Sequence, residues 1–488
     1  RQIMFGTRVF KVEIGVEDHI MWLPDVFGYS AAMPQILRLS GIDTFVTSKI
    51  SWNDTDRMPY DTFTWQGIDG TGVFTYFITA QDKKRAPTER YTTYVGMGTP
   101  RQVAGTYARY GHKDLSDDAM LLYGWGDGGG GPTYEFLENI RRMDAGANDC
   151  PRAKIGTASE FLQKLSAKAA KFKRLPKWSG ELYLEYHRGT YTSMAKNKRN
   201  NRKSEFALRD AELFSSVAQN LTGIAYPAEK FRELWRTVLT NQFHDIIPGS
   251  SIREVYEVTD REYAQVFAEL SEIQKESLGK IKSAIDTKGG YFICNTNGAR
   301  ALDVVRDKDM YYTVSDIPAA GYCVAERHRS GRNLRVSAHR LENDWFVLVF
   351  DKKYRISRLY DKRSGREVLR PGQLGNRLIA YEDIPFIYDA WEISDYYKEK
   401  SWEIDGVLSA KTRDAGDRVE IIVERPFLQS KVRQTIALYR DIPRIDFDTE
   451  ADWQNEHILV KAEFPVNINS PRATYEIQFG SRIVAMSF

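Results

Sequence analysis

Three constellations in this 488-residue chain have the residue types and settings that chemistry needs. The first is Trp22-Leu23-Pro24-Asp25-Val26-Phe27-Gly28-Tyr29-Ser30, a carboxylate between the apolar run Ile20-Met21-Trp22 and a Gly-Tyr-Ser turn. Proline supplies no N–H and ends strand pairing. The sequence therefore predicts Asp25 at a strand tip, where α/β proteins carry catalytic groups. The second is Tyr123-Gly124-Trp125-Gly126-Asp127-Gly128-Gly129-Gly130-Gly131-Pro132-Thr133, read as a strand running into four glycines and then a helix opening at Pro132 or Thr133. It predicts an open pocket floor presenting Asp127. The third is Asn241-Gln242-Phe243-His244-Asp245-Ile246-Ile247-Pro248-Gly249, a break between two helical stretches. Imidazole and carboxylate are donors for Zn²⁺ and similar ions, so Asp25 and His244 together suggest a metal site.

Each constellation also has a plain structural reading. An Asp at a strand tip serves as turn former or helix cap. A glycine run serves as a turn, and this one lacks the Lys-Ser/Thr of a phosphate loop and the dinucleotide spacing. A His at a helix end is commonly a capping or core residue. Two further stretches, Lys49-Ile50-Ser51-Trp52-Asn53 and Glu185-Tyr186-His187-Arg188-Gly189, follow candidate strands and could line a pocket. Trp22, Trp52, Trp65 and Trp125 suit stacking on a flat apolar face as well as core packing. The remaining histidines, His19, His112, His328, His339 and His457, are read as structural.

The elements that must position these groups follow from periodicity. Short β-branched or aromatic runs at 20–22, 44–50, 72–78, 120–125 and 181–186 alternate with amphipathic stretches at 31–39, 100–110 and 158–172. That alternation predicts parallel βαβ units. Helical spacing then takes over at 204–221, 227–241 and 252–285, predicting a bundle of three helices. From Tyr291 onward short strands and turn signals such as Asp361-Lys-Arg-Ser-Gly365 predict a sandwich.

Composition sets outer bounds. Net charge is +3, and three widely separated cysteines, Cys150, Cys294 and Cys323, argue against a disulfide framework and for a reducing compartment. No apolar run approaches the ~20 residues of a membrane-spanning helix. The basic cluster Lys196–Lys203 is read as a solvated loop before a helix, with a nucleic-acid patch as the competing reading.

The three motifs, in this order, resemble the family 38 glycoside hydrolases, the retaining α-mannosidases, and most of all their bacterial and fungal cytosolic or vacuolar branch. Trp178–Glu185, His187–Thr192, Ala390-Trp391-Glu392-Ile393 and Ala473–Gly480 extend the resemblance over nearly the whole chain. It implies a multidomain α/β + α + β protein: a parallel α/β barrel-like catalytic domain, incomplete here (1–187), a three-helix bundle (188–288) and a β-sandwich region (289–488). It implies Asp25 as nucleophile and metal ligand, Asp127 as general acid/base, His244 as metal ligand and Asp245 near substrate hydroxyls; Lys49, Trp52 and His187, from the two lesser stretches that follow strands, are read as candidate substrate contacts. One divalent metal is implied, zinc first and cobalt second. The partner is a mannose-containing oligosaccharide, with no nucleic acid and no membrane; an oligomer is allowed and the location is cytoplasmic. The family's remaining metal ligands form a His-x-Asp motif near the start of the barrel, and the chain is read as lacking it and as truncated at both ends. The alternative is a catalytically inactive homologue that at most binds carbohydrate.

Overall fold

The computed structural model describes residues 1–82, 91–325 and 333–485; His328 and the last three residues of the tail lie outside them. In chain order the first part comprises α1 (Gln2–Val9), β1 (Ile20–Trp22), α2 (Met33–Leu39), β2 (Thr44–Thr47), β3 (Thr62–Gln66), β4 (Gly72–Phe77), β5 (Ala80–Gln81), β6 (Thr92–Thr93), α3 (Pro100–Arg109), α4 (Tyr134–Ala145), α5 (Ala158–Lys171) and β7 (Lys177–Ser179). The main sheet has the order β1-β2-β4-β3-β7. Alternate side chains of its strands face opposite sides. Phe45 and Phe77 enter one core with Leu37, Phe63, Trp65 and Leu182, while Val46 and Tyr76 enter a second with Tyr110, Leu162 and Leu165. A fully buried side chain of this kind contributes about 1.5–3 kcal/mol, so two-sided burial rather than ion pairing anchors the strand tips.

The expected parallel, barrel-like arrangement is corrected in part. Strands β1, β2 and β4 run parallel, but β3 is antiparallel to β4 and parallel to β7. Among the described residues the sheet is open, with β1 and β7 at its edges. The cause is local: β3 and β4 are joined by a tight turn at Asp69-Gly70, with Gly70 at φ +86° and Asp69 accepting from the Thr71 N–H at 2.9 Å. A turn this short joins only antiparallel strands.

Two expected strands are extended segments with a single bridge each. Tyr123 bridges Gly96, and Leu182 bridges Tyr29. Gly124, at φ +156°, turns the first away from further pairing. In the second, the Asn53 side chain takes up the Tyr183 carbonyl and the Glu185 N–H. The helix after the glycines begins where expected, with Thr133 capping α4 through its hydroxyl.

Helices α6 (Ala195–Thr222), α7 (Ala228–Thr240) and α8 (Arg253–Ser283) share one core of Leu208, Ala211, Phe231, Leu234, Trp235, Val238, Tyr263, Val266 and Leu270. The basic cluster is not a loop before a helix: it forms the first turns of α6. Lys196 pairs with Asp260 at 2.7 Å and Arg202 with Glu205 at 3.1 Å. Asn197 and Lys198 turn inward and donate to the carbonyls of Ile246 (3.0 Å) and Ile247 (2.9 Å). Three asparagines, Asn197, Asn200 and Asn201, are buried here, which a loop reading from charge alone could not foresee.

From Tyr291 onward the regular elements among the described residues are β-strands, apart from a 3₁₀ turn at Asp395–Glu399. A five-stranded antiparallel sheet within 334–367 packs face to face on a four-stranded one within 409–452. Leu341, Leu348, Phe350 and Ile356 of the first meet Val419, Ile421, Ile436 and Leu438 of the second. Smaller hairpins and a three-stranded sheet flank this pair.

Candidate active site

Asp25 lies three residues beyond the end of β1, and Lys49 two residues beyond the end of β2. Because β1 and β2 are parallel neighbours, both leave the sheet at the same edge. The Pro24 carbonyl, freed from the ladder, accepts from the N–H groups of Ser48 (3.3 Å) and Lys49 (3.2 Å), which ties the two strand tips together. Tyr29 closes the turn from beneath, its hydroxyl meeting the Leu23 carbonyl at 2.5 Å and the Thr47 hydroxyl at 2.6 Å. Gly28 takes φ +110°, and a Cβ there would stand 3.3 Å from the Leu182 carbonyl oxygen. A side chain at 28 would push the turn off the sheet.

The carboxylate is held from two sides. Lys49 Nζ is 2.7 Å from Asp25 Oδ1, both groups being largely buried. His244 Nε2 is 3.7 Å from Asp25 Oδ2, and Asp245 Oδ2 is 3.7 Å from the same nitrogen. Burial pushes the Asp25 carboxyl upward, but His244 and Lys49 together outweigh it and hold it below its usual range. The nearby Asp25 carboxylate, against the opposing pull of burial, raises His244 above the ordinary histidine value. His244 comes from the turn after α7. That turn is fixed by Asn197, Lys198 and the Tyr256 hydroxyl, which donates to the Ile246 carbonyl at 3.1 Å.

Aromatic rings wall in the Asp25–Lys49 pair. Lys49 Nζ lies 4.1 Å from the centre of Trp52 and 5.5 Å from that of Phe27. The Trp52 loop is fastened to the segment 183–187, so the two lesser stretches of the sequence belong to one structure. Asn53, buried, donates to the carbonyls of Asp56 (3.0 Å) and Tyr183 (2.9 Å) and accepts from the Glu185 N–H at 2.9 Å. The Glu185 carboxylate accepts from the N–H groups of Asp54 (2.8 Å), Thr55 (2.9 Å) and Asp56 (2.5 Å). Burial raises the Glu185 carboxyl, but these three donors prevail and keep it below its ordinary value. Next in the chain, His187 is only 4 % exposed. It is turned to Glu392 of the β region, which accepts from its backbone N–H at 2.8 Å and lies 2.7 Å from its Nδ1.

Asp127 occupies a different setting. It sits in a short 3₁₀ turn, exposed, between glycines of which Gly124, Gly126, Gly129 and Gly130 all have positive φ. The Tyr94 hydroxyl donates to its Oδ1. Burial, then the bond to Asp127, holds the Tyr94 phenol above its usual range, so it remains a donor. Asp25 and Asp245 add smaller electrostatic contributions to the same phenol. Tyr94, Phe27 and Glu392 are site neighbours that residue types and spacing did not single out. Phe27 carried a signal as part of Trp22–Ser30 and Glu392 as part of Ala390-Trp391-Glu392, while Tyr94 carried none.

The donors Asp25 and His244 are spaced as two ligands of one divalent ion would be, but a tetrahedral shell needs four. Among the described residues no group of three His, Cys, Asp or Glu is arranged to hold a metal. The chain does contain a His-x-Asp triplet, His112-Lys113-Asp114, which corrects the expectation that it has none. It follows Asp25 and keeps other company: the His112 ring lies among Tyr60 and Tyr110 and is lowered by burial, with Asp61 and Asp114 nearby. It does not complete the Asp25–His244 pair. Asp25 and His244 alone do not make a closed metal shell among the described residues.

Family models match the chain in three consecutive blocks. The glycosyl hydrolases family 38 N-terminal domain matches residues 1–181, the alpha mannosidase middle domain 185–281, and the family 38 C-terminal domain 341–482. The chain is 32 % identical to alpha-mannosidase 2C1 of Homo sapiens, to alpha-mannosidase G of Dictyostelium discoideum and to alpha-mannosidase of Saccharomyces cerevisiae. In each case 98 % of this chain is covered, against 46 %, 49 % and 44 % of the relative. It thus spans about half the length of the curated relatives it matches. The crystal structure of an alpha-mannosidase from Enterococcus faecalis superposes with a TM-score of 0.78 at 13 % identity, over 99 % of this chain and 66 % of that one, which establishes likeness of fold. With a mixed α/β N-terminal part, a helical middle and β-rich C-terminal sheets, the chain belongs to glycosyl hydrolase family 38, the family of the α-mannosidases.

Proposed function

We propose that this chain carries the reaction centre of a retaining α-mannosidase that removes terminal α-mannose from oligosaccharides. The observation that carries the reading is Asp25: a largely buried carboxylate at a strand tip, kept ionised by Lys49 and His244, as an attacking group must be. In this reading Asp25 attacks the anomeric carbon. Asp127 first protonates the leaving oxygen and then deprotonates the water that releases the sugar. Lys49 neutralises Asp25 in the resting state and stabilises it again as the glycosyl bond breaks. Trp52 offers a face for the ring, and Asp245 accepts from sugar hydroxyls. His187 supports the wall behind the ring rather than touching it.

A divalent ion, zinc before cobalt, would rest on Asp25 and His244, and when bound would orient the cis 2- and 3-hydroxyls of mannose. The two-donor site predicts weak retention. We divide the chain at 187/188 and 288/289, keep a cytoplasmic location on the strength of three unpaired cysteines, and expect neither nucleic acid nor membrane as partner. Release of p-nitrophenol from its α-mannoside tests the reading: turnover with added Zn²⁺ or Co²⁺ supports it, and none under either ion removes it. The incomplete donor set favours one second reading, a chain that binds mannosides without cleaving them, which calorimetry with methyl α-mannoside would detect.

A further inference from the structure

We propose that Glu392 of the β region is a positioning residue for the Asp25–Lys49 pair, acting through His187. One oxygen, Oε1, takes both the His187 backbone N–H (2.8 Å) and its Nδ1 (2.7 Å). His187 sits at φ +67°, a left-handed conformation that a non-glycine residue holds only when its surroundings require it. Fixed in this way, the imidazole stands edge-on to Phe27 at 4.8 Å and tilted against Trp52 at 6.4 Å. Those are the two rings that enclose the Lys49 ammonium beside Asp25. The approach of the β region is close by construction: a Cβ on Gly189 would meet the carbonyl oxygens of Trp391 at 2.8 Å and Glu392 at 3.0 Å. A carboxylate about 200 residues away in sequence thus completes the wall of the N-terminal site, and the β region is part of the reaction centre rather than an appendage.

Only the activity arm of the test rests on the mannosidase reading. Hydrogen exchange followed by mass spectrometry on the full chain reads the wall directly. E392A is expected to speed exchange of the Lys49–Asp56 segment by about tenfold, the scale of one lost charge-assisted hydrogen bond, and to leave α7 unchanged. Because both bonds go to one oxygen, E392Q restores most of the protection. On p-nitrophenyl α-mannoside, E392A lowers kcat about tenfold with little change in KM, and E392Q recovers it. If E392A does not fold, E392D, which keeps the charge but withdraws the oxygen by one methylene, takes its place. Unchanged exchange at 49–56 in a folded E392A or E392D overturns the proposal whatever the activity. Raised exchange in a chain that hydrolyses no mannoside upholds it and counts against the mannosidase reading alone.

Discussion

The two carboxylates of the site are built in opposite ways. Asp25 is gripped by all three parts of the chain: the sheet through Pro24 and Lys49, the helical part through His244, and the β region through Glu392, His187 and the rings. Asp127 is exposed on a turn flanked by glycines and is held through its side chain by Tyr94. The difference suits the two roles proposed for them. An attacking group gains from a fixed approach, which preorganisation supplies. An acid/base must meet both a leaving oxygen and, later, a water, so a loop that adjusts as the sugar enters suits it. On the proposed reading the surroundings of Asp25 are held in place before substrate arrives, whereas the Asp127 loop is left to adjust to it.

Substitutions can break this contrast, the largest effect falling at Asp25. D25A should lower α-mannoside hydrolysis by on the order of 10⁴-fold or more with no loss of fold, read as kcat/KM beside a far-ultraviolet dichroism spectrum. D127N should cost about 10²–10³-fold on p-nitrophenyl α-mannoside, and far less on a dinitrophenyl mannoside whose leaving group needs no proton. Equal losses on both substrates would deny Asp127 the acid role. The third comparison pairs a residue from each side. N53A removes buried hydrogen bonds that hold the Trp52 loop, so it should cost about 2 kcal/mol in urea unfolding and lower activity as well. Y94F should leave stability unchanged and lower kcat about tenfold. If N53A were silent in stability, the nucleophile side would not be prebuilt. The smallest effect concerns the metal. Titration with Zn²⁺ should give one weak site, lost in H244A, while H112A binds as the unsubstituted chain does. Tight binding that survives H244A would place the ion elsewhere.

Much of the nucleophile side is legible in the amino-acid sequence. The order of apolar run, proline and acid puts Asp25 at a strand tip, and the helix break puts His244 where it can leave the bundle. The Lys49 contact needs one more step, that β1 and β2 are parallel neighbours. Three features are not legible, for physical reasons. Asn53 and Glu185 spend their side chains on backbone groups more than a hundred residues away, and such pairs leave no periodic trace. The antiparallel β3 hides for another reason: its Asp69-Gly70 pair is a strong hairpin signal, but the alternation of strands and helices around it points to parallel units instead. The charged run Lys196–Lys203 looks solvated because charge pattern does not reveal that Asn197 and Lys198 face inward to hold the His244 turn. Local signals place the elements; the long-range polar contacts that decide the site come only with the fold.

The central claim is that Asp25 forms the bond to the sugar. Incubation with an activated fluoro-mannosyl fluoride, which forms the glycosyl-enzyme quickly and releases it slowly, followed by peptide mass spectrometry, tests it most directly. The account predicts a single mannosyl adduct on the peptide containing Asp25, absent in D25A. An adduct on Asp127, Asp245 or any other carboxylate in the unsubstituted chain would contradict it.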